Sequence, residues 1–343
     1  MKKQKVPTLT LMIFLLSFIT CFSQEKNTKP YKVLSGHDHK VQNAFFSPNG
    51  EFIISHGWDN TIRIWDTETF KELKVLKGHT DQVWCATVSN DNKLIASGSM
   101  DRTFIIWDVE SGEKIHQVQI SPYYANIEGS IPELDGKIQN SIYRVAFSPN
   151  GKQLAIASAD KLVRIWDIEN SVFVDTLDGQ HPTNWMWSYY SPDGSYLITG
   201  SAHSWDKSGV KVIWETETFS QVCRINLSGD MLFTESGKLG IYKGNCTMDY
   251  YDLSNGSLVS NKPFPCFEGN FNMSKDKKYI ATCNEDYCIR LWDLNTHKVI
   301  WKYEGEEKEI QQANFSPDGK YLIAGTPNSD ILVWKLSDLI KDE

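Results

Sequence analysis

The sequence predicts an all-β fold, a closed ring of seven four-stranded antiparallel units, on three observations. An aromatic residue, mostly followed by an acid, recurs with a period near 45 residues. A Ser-Pro-(Asn/Asp)-Gly turn recurs between these pairs. The first stretch of the repeating region matches a stretch that ends the first full unit, which shows how the ring closes.

The unit reads most completely from Gly78 to Asp108. Gly78-His79 precedes the apolar run Val83 to Val88, and Ser89-Asn90-Asp91-Asn92 then forms a polar turn. Leu94-Ile95-Ala96-Ser97 follows, then a tight turn through Ser99-Met100-Asp101-Arg102, then Thr103-Phe104-Ile105-Ile106-Trp107-Asp108. Three short β-prone runs separated by turn residues make an antiparallel meander. One meander cannot bury both of its faces, so it needs copies of itself. The copies end at Trp65-Asp66, Trp107-Asp108, Trp166-Asp167, Trp214-Glu215, Tyr251-Asp252, Trp292-Asp293 and Trp334-Lys335, spaced 42, 59, 48, 37, 41 and 42 residues apart. The mid-unit turn is Ser47-Pro48-Asn49-Gly50, Ser148-Pro149-Asn150-Gly151, Ser191-Pro192-Asp193-Gly194 and Ser316-Pro317-Asp318-Gly319. Proline presets φ in such a turn and glycine takes the positive φ. Units five and six carry Thr234-Glu235-Ser236-Gly237 and Ser274-Lys275-Asp276-Lys277 instead.

A period of 40 to 45 residues with Gly-His before and Trp-Asp after marks a four-stranded propeller blade. The chain resembles the WD-repeat β-propeller family over residues 31 to about 337, and is read as an exported, bacterial-type member. The resemblance implies a seven-bladed β-propeller of four-stranded antiparallel blades. Lys32-Val33-Leu34-Ser35-Gly36-His37 matches Lys74-Val75-Leu76-Lys77-Gly78-His79, the outer strand of blade one, and the last unit stops at Leu336 after its third strand. Residues 31–34 are therefore expected to complete blade seven and cover its open edge.

The family also implies a buried hydrogen-bond chain in each blade, which the chemistry supports. Indole N–H only donates, a hydroxyl relays, and imidazole can accept on one side and donate to a carboxylate on the other. By position the sets are His37, Ser55, Asp59 and Trp65 in blade one, and His79, Ser97, Asp101 and Trp107 in blade two. Blade four offers His181, Thr199, Asp206 and Trp214. In blade three Ile156 replaces the hydroxyl and no histidine is in place. Blade six keeps Thr282, Asp286 and Trp292, with Phe264 at the histidine position, and blades five and seven have lost most of the set.

The termini and composition bound the setting. Lys2, Lys3 and Lys5 precede the apolar run Leu9 to Ile19, with small residues near Cys21 and Ser23, the layout of a secretory signal over residues 1–23 cleaved after Ser23. The run is short for a membrane span, which needs about 20 apolar residues. Cys21 is a poor lipid-attachment site because Thr20 is not a small lipobox residue. Residues 24–30 read as a flexible leader and 338–343 as a tail. The signal takes three lysines and no acid with it, so the net charge moves from −8 to −11. No basic stripe appears, which disfavours nucleic acid as a partner. Six cysteines remain, Cys85, Cys223, Cys246, Cys266, Cys283 and Cys288. An exported location permits disulfides but the spacing leaves their pairing open. Cys283 and Cys288 flank one turn and are the easiest pair to bring together, whereas Cys85 reads as a small buried hydrophobe.

The Ser, His and Asp of each blade belong to the structural chain, and no Gly-x-Ser-x-Gly elbow, Cys-x-x-Cys pair, His-Glu-x-x-His or phosphate loop occurs. No catalytic residue, metal or cofactor is therefore expected, and function is sought in the departures from the repeat. Ser121 to Gln139 and His203 to Gly209 are insertions bearing Tyr123, Tyr124 and Trp205, expected on the face of the Gly-His loops. In the family, partner contacts often come from the residue before the motif Asp, here Trp58, Met100, Ala159, Trp205 and Glu285. They also come from early positions of the innermost strand, here Gln42, Trp84, Tyr143, Met186 and Gln311. Aromatics and methionine within a polar rim suit a binding hot spot. In the run Trp185-Met186-Trp187-Ser188-Tyr189-Tyr190, alternation puts Trp185, Trp187 and Tyr189 on one side of a strand, where they are expected to pack in the core. The function expected is a non-catalytic protein- or peptide-binding scaffold in the periplasm or outside the cell. The alternatives are a hydrolase with a central-channel site and a glycan binder.

Overall fold

The computed structural model describes residues 28–120, 141–203, 206–227, 229–234, 237–267, 269–283, 286–305 and 310–340, with the side chains of 202–208 outside the description. The signal region and Tyr123, Tyr124 and Trp205 lie outside the described residues. Seven four-stranded antiparallel sheets follow one another as the blades of a propeller. Blade one runs Val41–Phe46, Phe52–Gly57, Thr61–Asp66 and Glu72–Lys77 from the innermost strand outward. Blade two repeats this with Val83–Val88, Leu94–Ser99, Thr103–Asp108 and Lys114–Gln119. The innermost strands of blades five and six, Met231–Phe233 and Asn270–Met273, are shorter.

Ring closure follows the sequence expectation. Lys32–Ser35 is the outer strand of blade seven and pairs antiparallel with Asp330–Lys335, placing Leu34 opposite Ile331. Leu34 is buried with Ile331 and Val333. The chain just before this strand is fastened as well, because the Trp334 indole donates to the Thr28 carbonyl at 3.2 Å.

The turn between the first and second strands has one conformation in every blade. Its last residue has positive φ at Gly50, Asn92, Gly151, Gly194, Gly237, Lys277 and Gly319. In blade one Ser47 Oγ donates to Asn49 Oδ1 at 2.7 Å, and the Gly50 N–H donates to the Ser47 carbonyl at 2.9 Å. Such a side-chain-capped turn ties the strands without consuming ladder groups.

Apolar side chains fill the seams between adjacent blades. Cys85, Phe104 and Ile106 of blade two pack on Ile142, Val145 and Trp166 of blade three. Burial drives the Cys85 thiol up to about 12, so it behaves as a core hydrophobe. The strand-three tryptophans of blades one to four and seven are buried, while Trp292 is half-buried. The disulfide joins Cys246 to Cys266 at the end of the third- and fourth-strand hairpin of blade five. Sequence spacing leaves the pairing open, and the structure places the bridge at Cys246–Cys266; Cys283 and Cys288, the pair that flanks one turn, are buried. Among the described residues no helix is long and apolar enough to cross a membrane.

Candidate functional site

The hydrogen-bond chains come first, because they hold the loops that carry the candidate face. In blade one the Trp65 indole donates to Ser55 Oγ at 2.9 Å, Ser55 lies 2.7 Å from His37 Nε2, and His37 Nδ1 lies 2.8 Å from Asp59. Blade two repeats the chain through Trp107, Ser97, His79 and Asp101 at 2.9, 2.8 and 2.9 Å. The carboxylate also accepts from the Thr103 hydroxyl and the Thr80 N–H. Burial works against the Asp101 charge, but the hydrogen bond and charge of His79, with those donors, outweigh it and hold the carboxyl near a pKa of about 2. Asp59 is lowered in the same way by His37 and Thr61.

The other blades depart as the sequence indicates. In blade four Trp214 and His181 both reach Thr199, at 2.9 and 3.0 Å, and His181 Nδ1 has no partner among the described residues. Asp206 opens the next strand opposite His203, with its side chain outside the description. In blade three Ile156 stands in place of the hydroxyl, and the Trp166 indole N–H has no partner among the described residues. Arg164 fastens this blade instead, donating to Ser158 at 2.8 Å and pairing with Asp160 at 2.5 Å. The sequence reading missed this arginine. Its signal was present as an arginine four residues after the turn Asp in Asp59/Arg63, Asp160/Arg164 and Asp286/Arg290.

Strands alternate in direction, so the loops entering each innermost strand and the turns between strands two and three emerge on one face. On that face three rings from three successive blades come together. Trp84 lies 5.6 Å from Tyr143 at 85°, and 5.4 Å from Trp185 at 68°. Tyr143 stacks on Trp185 at 4.8 Å and 18°. Offset-stacked and edge-on contacts at these separations are the favourable aromatic geometries. Burial raises the Tyr143 phenol above its ordinary range, so it stays a neutral donor at any physiological pH.

A bulge explains why Trp84 and Tyr143 turn outward. The pairing of the first two strands shifts between Val41 and Asn43, between Val83 and Cys85, and between Ile142 and Arg144. Gln42, Trp84 and Tyr143 are the extra residues, and a bulge re-aims its extra side chain. Blade four has no shift: Met186, Trp187 and Ser188 pair in step with Ser201, Gly200 and Thr199. Met186 therefore takes the inward place of Val83 and is 2% exposed, within the seam of blades three and four. This corrects its assignment to the face. Trp185, expected in the core, is 37% exposed and supplies the third ring.

Blade one brings both predicted classes together in a separate cluster. The Trp58 indole donates to Gln42 Oε1 at 3.1 Å, the His39 ring stacks on it at 5.6 Å, and Lys40 Nζ lies 5.1 Å above it. Met100 and Gln311 are half-buried on the same face, and the Gln311 carbonyl accepts from Asn270 at 3.1 Å. Ala159 is buried and presents no side-chain surface. Among the described residues no group of three or more His, Cys, Asp or Glu is placed to hold a metal ion.

Comparison with known proteins matches this geometry. A family model described as WD domain, G-beta repeat matches residues 28–66, 70–108, 130–167, 270–293 and 297–335, more than half of the chain. The chain is 33% identical to the small ribosomal subunit protein RACK1y of Oryza sativa over 316 residues, covering 90% of this chain and 78% of the relative. It is 28% identical over 189 residues to nuclear distribution protein PAC1 of Arthroderma otae, covering 55% of this chain and 36% of that protein. It is 22% identical over 194 residues to the serine-threonine kinase receptor-associated protein of Gallus gallus, covering 56% of this chain and 54% of that protein. The chain thus spans about a third and about half of the length of the latter two.

Proposed function

The chain belongs to the WD40-repeat family of β-propellers, and from that premise we propose that it is a non-catalytic scaffold that captures a protein or peptide partner outside the cytoplasm. The observation that carries the reading is the cluster of Trp84, Tyr143 and Trp185 on one face. Three aromatics, two on innermost strands and Trp185 just before one, offer a large contact area at little loss of side-chain freedom, the usual make-up of an interface hot spot. Relatives named for a ribosomal subunit and for association with a kinase receptor support a binding role. Fold alone does not fix function, so the weight rests on the face. Export is supported by the signal layout of residues 1–23 and by the Cys246–Cys266 bridge, which persists in oxidising compartments.

The test is affinity capture from the envelope and culture fluid of the native cell, with residues 24–343 as bait. The control baits are Trp185→Ala alone and the Trp84→Ala, Tyr143→Ala, Trp185→Ala triple variant, each checked for fold by circular dichroism and melting. Trp185 is the most exposed of the three rings, so its single replacement should leave the fold intact while weakening capture about tenfold or more. A partner retained equally by the intact and folded variant baits would refute the face. Retention of glycans in place of any protein would replace the peptide reading by the glycan reading.

A further inference from the structure

We propose that the central channel behind the aromatic trio receives the C-terminal carboxylate of a peptide, with Arg144 as its anchor. The proposal rests on the face assigned above and names what that face admits. Each innermost strand starts at the face and lines the channel as it runs inward. The seven innermost strands carry one charged residue between them, Arg144 on Ile142–Phe147 of blade three. It directly follows Tyr143 of the trio. A guanidinium stays charged in proteins, and a charge drawn into a wall is seldom left without a counter-charge. Arg144 is half-buried, and its guanidinium has no ion pair and no hydrogen bond among the described residues. It lies over the Tyr189 ring, 4.6 Å from the centroid. That contact uses the face of the guanidinium plane and leaves the N–H donors along its edge, the fork that a carboxylate takes with two parallel bonds.

The rest of the channel wall does not cancel this charge. Across the ring, blades six, seven and one contribute a ladder of neutral amides. Asn272 Nδ2 donates to Asn314 Oδ1 at 2.6 Å, Asn314 Nδ2 to Asn43 Oδ1 at 2.9 Å, and Asn43 Nδ2 to Gln312 Oε1 at 3.1 Å. Amides match the donors and acceptors of a peptide main chain. Asp230 stands just ahead of the innermost strand of blade five; burial raises its carboxyl to about 6, and the charge opposing that rise is Lys211, not Arg144. At Cys85, where burial raises the thiol, the Arg144 charge is the first influence against the rise, so it is felt inside the wall itself. The whole chain carries −8, so the channel is opposite in sign to its surroundings and draws an anion past the trio. Tyr189 stands four residues beyond Trp185, about 13 Å along an extended chain, which places the anchor within the channel rather than at its rim. An acid in the middle of a chain would bring two arms of main chain through the mouth, whereas a chain end brings one.

The experiment has two arms on residues 24–343. In the first, protein carrying ¹⁵N-arginine is titrated at constant ionic strength with butyrate and with butyramide, the Arg144 Nε–H resonance being assigned by its loss in Arg144→Gln. Butyrate should move this resonance to saturation in the parent and in Trp185→Ala alike, and butyramide should not. In the second arm, immobilised protein meets three pools of random N-acetylated hexapeptides, read by mass spectrometry. One pool lacks Asp and Glu and ends in a carboxylate, its twin ends in a carboxamide, and the third is amidated and rich in Asp and Glu. The carboxylate pool should be retained about tenfold over its amidated twin; Arg144→Gln should remove that margin and Arg144→Lys keep part of it. An Arg144 resonance that does not saturate with butyrate overturns the anion site, whatever the face retains. A margin that survives Arg144→Gln overturns Arg144 as the anchor. Equal retention of the twin pools, retention of the acidic pool over the free-ended one, or retention of no pool overturns the chain end. Under the scaffold reading Trp185→Ala weakens retention of every pool and leaves the butyrate shift in place, so the two readings fail separately.

Discussion

Replacing Ser97 by Ala measures what one blade's hydrogen-bond chain contributes. Ser97 is fully buried, and its hydroxyl accepts from the Trp107 indole at 2.9 Å. Because His79 Nδ1–H points to the Asp101 carboxylate, Nε2 is the acceptor of the Ser97 hydroxyl at 2.8 Å. Alanine keeps the backbone and nearly the volume, so no cavity forms. It leaves two buried partners unmet, the Trp107 N–H and His79 Nε2. Each orphaned buried group costs about 1–3 kcal/mol, which sets the expected loss at about 3 kcal/mol after partial relaxation. Total domain stability is about 5–15 kcal/mol, so the change is large against it. The assay is urea unfolding of both proteins, read as a shift in midpoint at unchanged slope. Blade three supplies an internal comparison, since Trp166 already lacks a hydroxyl partner and rests on Phe104 and Phe173 at 5.3 and 4.9 Å. A loss under about 0.5 kcal/mol would show that the indole and imidazole find other partners, and the reasoning would fail.

Two further outcomes follow from single positions. His56 is fully buried and donates Nδ1–H to the Val83 carbonyl at 3.0 Å; burial lowers its pKa to about 4 against the partial opposition of that bond. The folded pKa lies below the unfolded value, so as pH falls the unfolded chain takes the proton first. The contribution of His56 to stability is therefore full above about pH 6.5, declines by about 3 kcal/mol toward pH 4, and changes no further below. His56→Gln should remove that part of the acid loss in unfolding curves taken between pH 7 and 4, and an unchanged slope would refute the assignment. At Gly200, a Cβ would stand 2.0 Å from the Trp187 ring. Gly200→Ala should lower stability by about 1–3 kcal/mol through forced ring displacement, visible as a lower melting temperature.

The fold was legible because its signals are local and repeated. A tight turn with one residue at positive φ must occur once per blade, and four blades announce it with Pro and Gly. Asn92 and Lys277 take the same conformation without that sequence cue, which shows that the meander imposes the turn and that the residues merely ease it. The candidate face was legible only in part. Its position classes are topological, but whether the first strand carries an extra residue is not written in any composition. One residue of register exchanges the two sides of a strand, and that single count separates buried Met186 from exposed Trp185. The disulfide was hidden for a related reason: Cys246 and Cys266 are 20 residues apart and meet because the hairpin pairs Thr247 with Pro263 beside them.

The departures from the repeat also explain each other. Each blade packs on its two neighbours, so losing a hydrogen-bond chain is a local loss that a local substitute can offset. Blade three replaces the histidine and hydroxyl by Arg164 on Asp160. Blade five replaces the whole set by the Cys246–Cys266 bridge and by Asp249, which takes Lys243 at 2.6 Å and the Asn261 amide. Ring closure is untouched by these departures, because it depends on Lys32–Ser35 in blade seven. The regular blades thus keep the Trp-to-Asp hydrogen-bond chain of the repeat, and the irregular ones hold their strands by local substitutes.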